Sequence, residues 1–183
     1  SVDDDLYQKY EERIVTGLKA WSNDNIQIQG VSGTVTVNVT PIKAKHRLDA
    51  DIVFVTNKEG RGATLSAVGW TPGGAKGFEV PLGWRRYRDK EGNPTASVSN
   101  ISAHEFGHVL GLMDLYPEWY NGHNEKRVSP DADVDLGVMG WNYYHELTFT
   151  NFDYEMMLYA WSIGRMQSYF KESELLATAS QAF

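Results

Sequence analysis

The residues from 98 to 114 constrain the fold more than any other part of the chain. Their sequence is VSNISAHEFGHVLGLMD, in which apolar residues recur at helical spacing up to Gly111. A glycine just beyond the last periodic residue is typical of a helix end, because glycine adopts the left-handed conformation without steric cost. The pattern predicts a helix from Val98 to Gly111 and a sharp change of chain direction after it.

Two more helices are predicted, one near each end of the chain. From Asp3 to Trp21 the large apolar residues are spaced by three or four positions, which builds one apolar face. Thr150 and Asp153 have the character of a capping box, in which each side chain binds the backbone N–H of the other residue. We therefore expect a last helix from Asn151 to about Phe170.

Four strands are predicted between the first helix and the central one. Residues 34–40 alternate apolar and polar side chains, as a strand with one wet face does. Residues 51–56 are short, β-branched and not alternating, which indicates a strand covered on both faces. Residues 63–70 and 78–84 flank a turn sequence. Pro81 indicates that the last strand lies at a sheet edge, since proline cannot donate a hydrogen bond to a neighbour.

The order of these elements indicates an α+β fold in one domain spanning residues 1–183. We expect a mixed sheet in the upper part, mostly helices in the lower part, and an irregular segment at 115–138, where Pro, Gly, Asn and Asp are frequent. Long irregular segments within a compact domain are usually functional. A chain of 183 residues is large enough to bury one core, and 42% hydrophobic residues suit a globular protein.

The formal net charge of −7 restricts the classes of partner. Nucleic acids and anionic membranes would be repelled by this mean field. The basic run from Trp84 to Lys90 is short and isolated, so we interpret it as a solvated strand end or loop. The chain has no cysteine and no apolar run near the ~18 residues of a membrane span. We expect a monomer with neither a nucleic-acid partner nor a membrane span.

The central helix carries a group of residues with metal chemistry. Because residues four apart lie on one helix face, His104 and His108 can direct both imidazoles at one metal ion. Glu105 lies beside them, near enough to take a proton from a metal-bound water. Gly111 allows the chain to turn, so that Asp114 can reach the metal as a third ligand. Three such ligands and one open position suit a catalytic zinc ion.

The segment HEFGHVLGLMD resembles the extended zinc signature of metzincin metallopeptidases, HExxHxxGxxH/D, in the aspartate-ended form typical of snapalysin-like enzymes. The resemblance implies that His104, His108 and Asp114 bind zinc and that Glu105 is the general base. It also implies a zincin or metzincin-like fold, with a mixed twisted sheet, an active-site helix, a methionine turn below the metal and a C-terminal helix. Glycines flank Met139 in LGVMGW, a segment that resembles this turn.

One position departs from the family pattern. Many metzincins have a tyrosine two residues after the turn methionine, where this chain has Trp141. Tyr143, Tyr144 or His145 could stabilise the transition state instead, and the sequence does not choose among them. Simple packing in the core or at the surface is the competing interpretation for all three.

The metal ligands leave two alternatives open. In glutamate-type zincins the third ligand comes from a later helix, so Glu155, Asp153 or Glu146 could replace Asp114. Asp114 is favoured, because its spacing and the glycine before it fit together. His123 could bind a second metal, although its surroundings, rich in Asn and Gly, favour an exposed loop.

These features together predict a zinc metalloendopeptidase that hydrolyses peptide bonds of a protein or peptide substrate. The predicted edge strand from Phe78 to Leu82 would pair with an extended substrate chain through main-chain hydrogen bonds. The resemblance suggests a secreted protease or a toxin domain delivered by a bacterial secretion system. The alternative is a zinc-containing protein-binding module, an inactive relative of the peptidases. Glu105 argues against that alternative, because a structural zinc site needs no base.

Overall fold

The computed structural model describes residues 4–56, 78–83, 85–114, 138–140 and 147–166. The α-helices and strands in these residues run in the order α1 (Asp4–Lys19), β1 (Asn23–Ile26), β2 (Val35–Val37), β3 (Ile52–Val55), β4 (Phe78–Pro81), α2 (Ala96–Val109) and α3 (Asn151–Ile163). This order confirms an α+β fold. The predicted strand at 63–70 and nearly all of the irregular segment lie outside the described residues. None of the described helices combines the length and the apolar character needed to cross a bilayer.

The strands form two separate pairs within the described part of the chain. β1 and β2 are antiparallel, whereas β3 and β4 are parallel, with Ile52 opposite Phe78 and Val55 opposite Pro81. A single mixed twisted sheet is not formed by these four strands, so that feature of the metzincin-like fold stays a prediction. All four residues of β3 are half-buried, so both faces of the strand are partly covered and neither is fully exposed.

α1 packs closely against α2. The contact requires a glycine at position 17, because a Cβ there would overlap the backbone carbonyl oxygen of Ser99. Apolar side chains from α1, α2, α3 and the region of β4 form a buried core cluster: Tyr10, Val80, Leu82, Tyr87, Val98, Ile101, Val109 and Ala160. The close approach and the shared core fix the position of α2, the helix that carries both histidines.

A second core cluster surrounds the other side of α2. Its members come from the end of α1, from β1, from the turn at 138–140 and from α3: Trp21, Ile26, Ile28, Ala103, Leu112, Val138, Met139, Tyr154, Met156 and Met157. Trp21, Leu112 and Met139 are fully buried. α2 is thus held between two apolar clusters, which leaves little freedom for the residues that it carries.

The observed ends of α2 and α3 can be compared with the ends predicted from the sequence. α2 begins at Ala96, two residues before the predicted start, and Gly111 behind its end is left-handed with φ 100°. Thr150 caps α3 in the predicted capping box, in which its N–H donates to Asp153 Oδ2 at 2.7 Å. The predicted extension of α3 to about Phe170 was wrong, because Gly164 adopts a left-handed conformation with φ 66° and ends the helix at Ile163.

Candidate metal centre

The turn after α2 brings Asp114 back to the two histidines. The N–H of Leu112 donates to the carbonyl of Gly107 at 3.0 Å, and that of Gly111 donates to the carbonyl of His108 at 3.1 Å. This pair of bonds is a Schellman motif, which needs a left-handed residue and reverses the chain within a few residues. The sequence predicted that the chain turns back after Gly111, and the structure confirms this turn.

Three potential ligand atoms converge at this point. Asp114 Oδ1 lies 3.1 Å from His104 Nε2 and 3.3 Å from His108 Nε2. The two imidazole rings are nearly perpendicular, with centroids 5.0 Å apart. A tetrahedral metal with bonds of about 2.0–2.1 Å holds its ligand atoms about 3.3 Å apart. The group His104, His108 and Asp114 can therefore hold a metal ion.

The hydrogen bonding of these residues also fits a metal. Asp114 Oδ1 is buried and has no hydrogen-bond partner, although both Nε2 atoms are close to it. The carboxylate oxygen and the two Nε2 atoms thus lie close together without a hydrogen bond of good geometry between them. A buried oxygen without a partner is costly, and a cation at the centre shared by these three atoms would remove that cost.

Backbone carbonyls orient both imidazoles from behind. His104 Nδ1 lies 2.9 Å from the carbonyl oxygen of Val138, and His108 Nδ1 lies 2.8 Å from that of Leu112. A carbonyl only accepts hydrogen bonds, so we assign the ring proton of each neutral histidine to Nδ1. Nε2 then presents its lone pair to the shared centre, as a metal ligand must. These two contacts could not be predicted from the sequence. Every residue has a backbone carbonyl, so residue type does not indicate which carbonyl will contact a histidine.

The charges of the group favour an ion pair when no metal is bound. Burial alone would lower the pKa of His108, but the Asp114 carboxylate, helped by Glu105, raises it to about 9. Burial alone would raise the pKa of Asp114, but the imidazoles of His104 and His108 hold it well below its usual range. A metal ion would take the place of the proton on His108, so binding would release a proton near neutral pH.

Glu105 lies at the edge of this group and is not one of its ligands. Its side chain is almost completely buried, and Oε2 lies 3.9 Å from His108 Nε2 without any hydrogen-bond partner. Burial raises the pKa of Glu105, and the two imidazoles partly offset this effect. A carboxylate with a raised pKa and a free oxygen beside a metal site can accept a proton and later release it.

Met139 lies against the backbone of α2 between the two histidines. It is fully buried, and a Cβ added at Gly107 would overlap its Sδ atom. Its neighbour Val138 supplies the carbonyl that orients His104. The methionine thus packs against the helix that carries both histidines, and its role as a metzincin methionine turn stays a prediction.

The alternative ligands are engaged elsewhere or lie outside the described residues. Glu155 Oε1 accepts a hydrogen bond from the backbone N–H of Gln29 at 2.9 Å, and Asp153 is bound in the capping box of α3. Within the described ranges, His104, His108 and Asp114 form the one group with metal-ligand geometry. The remaining candidates are not described by the structure: His123, Tyr143, Tyr144, His145 and Glu146.

Comparisons of the chain with protein-family models, with curated proteins and with solved structures gave no match. Two imidazoles and one carboxylate define a candidate metal centre, and a second carboxylate, with one oxygen that has no hydrogen-bond partner, is a candidate base beside it.

Proposed function

We propose that this chain is a zinc-dependent endopeptidase. The observation that carries the proposal is the buried Glu105 carboxylate, whose Oε2 atom has no hydrogen-bond partner and lies beside a three-ligand group. A structural zinc site is normally closed by four protein ligands, whereas a catalytic site keeps one position for water or substrate. A fourth protein ligand is absent from the group as the described residues form it.

Zinc is the metal that this set of donors fits best. Two imidazole nitrogens and one carboxylate oxygen are typical zinc ligands, and Asp114 Oδ1 lies at a tetrahedral ligand-to-ligand distance from each Nε2 atom. Calcium and magnesium prefer six or more oxygen ligands. Bound zinc would supply Lewis acidity, which polarises a peptide carbonyl and makes water more acidic.

Glu105 supplies the proton transfers. Its free carboxylate oxygen would accept a proton from the water that attacks the carbonyl carbon, and its raised pKa would let it pass that proton to the amine nitrogen as the C–N bond breaks. The carbonyls of Val138 and Leu112 hold the imidazoles still during these steps. The site therefore does not have to reorganise while charge moves.

The proposed substrate is an extended stretch of protein or peptide. β4 pairs with β3 along one side, and no second partner strand is found among the described residues. Pro81 predicts that β4 lies at a sheet edge, and an edge strand can add a substrate chain by main-chain hydrogen bonds. Secretion, or delivery as a toxin domain, is proposed on the sequence resemblance alone.

Cleavage of a denatured protein by the purified chain, loaded with one equivalent of zinc, tests the proposal. Glu105→Gln keeps the size of the side chain and removes the base, so we expect kcat to fall by about 10²- to 10⁴-fold while zinc stays bound. Glu155→Gln is the matched control, because Glu155 is a carboxylate outside the metal group. It should keep normal cleavage.

Two outcomes would contradict the proposal. A Glu105→Gln variant that cuts as fast as the native chain would exclude Glu105 as the base. A native chain that binds zinc but cuts no denatured protein would favour the protein-binding module. Asp114→Ala should lose stoichiometric zinc, and retention of zinc by this variant would assign the third ligand to another residue.

A further inference from the structure

Trp21 touches α2 at the two residues that directly precede the histidines. Its indole Nε1–H donates to the carbonyl oxygen of Ala103 at 2.8 Å, and this contact is buried. Its ring lies close to Gly107, where an added Cβ would come within 3.1 Å of Cζ2. Ala103 precedes His104 and Gly107 precedes His108, so one side chain contacts the helix behind both ligands.

Trp21 is itself fixed by residues at and near α3. The hydroxyl of Tyr154 donates to the backbone carbonyl of Trp21 at 3.2 Å. The rings of Phe149 and Tyr154 meet the indole edge to face, with centroid distances of 5.0 and 5.9 Å. Edge-to-face pairs hold the plane of a ring as well as its position. The hydrogen bond to Ala103 and the two ring contacts therefore hold both the position and the orientation of the indole.

We propose that Trp21 is a positioning residue for the metal centre. Both imidazoles are carried by one helix, and a rotation of α2 by about 10° would move an imidazole tip by roughly 1 Å. Metal sites tolerate errors of only about 0.5 Å. The directed bond to Ala103 sets the rotation and depth of α2, which an apolar contact alone would leave less defined.

Met139 strengthens this assignment. A Cβ added at Gly107 would meet both the thioether of Met139 and the ring of Trp21. Indole and thioether thus pack on the same glycine, the residue that directly precedes His108. The backbone between the ligands is supported at Gly107 by packing and at Ala103 by a hydrogen bond.

The inference rests on the proposed zinc site, and Trp21→Phe tests it. Phenylalanine keeps an aromatic ring in the core and removes the donor to Ala103. We expect the zinc dissociation constant to rise about tenfold, as for other residues that orient metal ligands indirectly. The visible absorption of the cobalt-substituted protein should change, while the circular dichroism spectrum of the folded chain is kept.

Val98→Ala is the control for a general loss of stability. Val98 is fully buried on the same helix, in the core cluster that does not contain Trp21. This variant should weaken the fold and leave zinc affinity within about twofold of the native value. An unchanged zinc affinity in Trp21→Phe would overturn the inference, as would an equal loss of affinity in both variants.

The zinc measurements separate this inference from the proposed function, because they require no cleavage. If the native chain binds zinc and cuts no substrate, the peptidase proposal fails, and the affinity of Trp21→Phe still decides the positioning role. If the native chain cuts substrate and Trp21→Phe binds zinc normally, the positioning role fails alone.

Discussion

In the metal-free state, the stability of this protein should depend on pH between about 6.5 and 9. In the metal-free fold, His108 lies 3.3 Å from the Asp114 carboxylate, which raises the pKa of the imidazole from 6.5 to about 9. A group whose pKa is higher in the folded state stabilises the fold while it is protonated in both states. This stabilisation is complete below about pH 6.5 and is lost as the pH rises through about 9.

The size of the effect follows from the pKa of His108. At about 1.4 kcal/mol for each tenfold change in proton affinity, a rise from 6.5 to about 9 corresponds to about 3 kcal/mol. The Asp114 side chain is 36% exposed, so solvent screens the pair, and we expect a loss of about 1–3 kcal/mol. The lowered pKa of Asp114 results from the same ion pair, so it adds no separate contribution to this loss of stability.

Urea denaturation in the presence of a chelator measures this loss, at about pH 6, 7.5 and 9. Asp114→Asn removes the carboxylate and should flatten the dependence over this range. Saturating zinc should also flatten it, because the metal replaces the proton on His108. A metal-free unfolding free energy that stays constant or rises from about pH 6.5 to 9 would refute the reasoning.

Three substitutions test the packing around the site. Gly107→Ala should lower the unfolding free energy, measured in urea, by about 1–3 kcal/mol, because the new Cβ overlaps Met139. An unchanged unfolding free energy would show that Met139 can move away freely. Gly17→Ala should lower the melting temperature by forcing α1 away from Ser99, and an unchanged value would mean that the two helices separate at no cost. Thr150→Ala should cost about 1 kcal/mol in urea through the lost cap of α3. Its zinc affinity should stay normal, and weaker binding would connect the cap to the metal centre.

The sequence was most informative where residue type and spacing act locally. Histidines four apart lie on one face of any helix, and Gly111 permits the turn that returns Asp114 to them. The capping box of α3 was likewise predictable, since Thr150 and Asp153 bind each other within one turn. Each of these features depends on neighbours a few positions away, so the rest of the fold has little influence on them.

Features that depend on distant partners were not predictable. β1 has the polar sequence Asn-Asp-Asn-Ile, and it is a strand because it pairs with β2, not because of its own propensity. The backbone carbonyls of Val138 and Leu112 orient the histidines because the fold places them there, and the residue type at 138 and 112 does not indicate this role. The predicted end of α3 was wrong for a different reason. The apolar pattern continues beyond Gly164, but this left-handed glycine ends the helix.

The metal centre depends on contacts from widely separated parts of the chain. α2 supplies both imidazoles, yet Trp21 fixes its backbone, Val138 orients His104, and Tyr154 holds Trp21. An isolated helix with the same histidines would have none of these constraints, and it would also lack the close contact between α1 and α2 at Gly17. Since these contacts exist only in the folded chain, a metal ion held by this group should bind the folded state far more tightly than the unfolded one. Metal affinity therefore measures how well the distant contacts are formed, and it should respond to Trp21 although Trp21 touches no ligand atom.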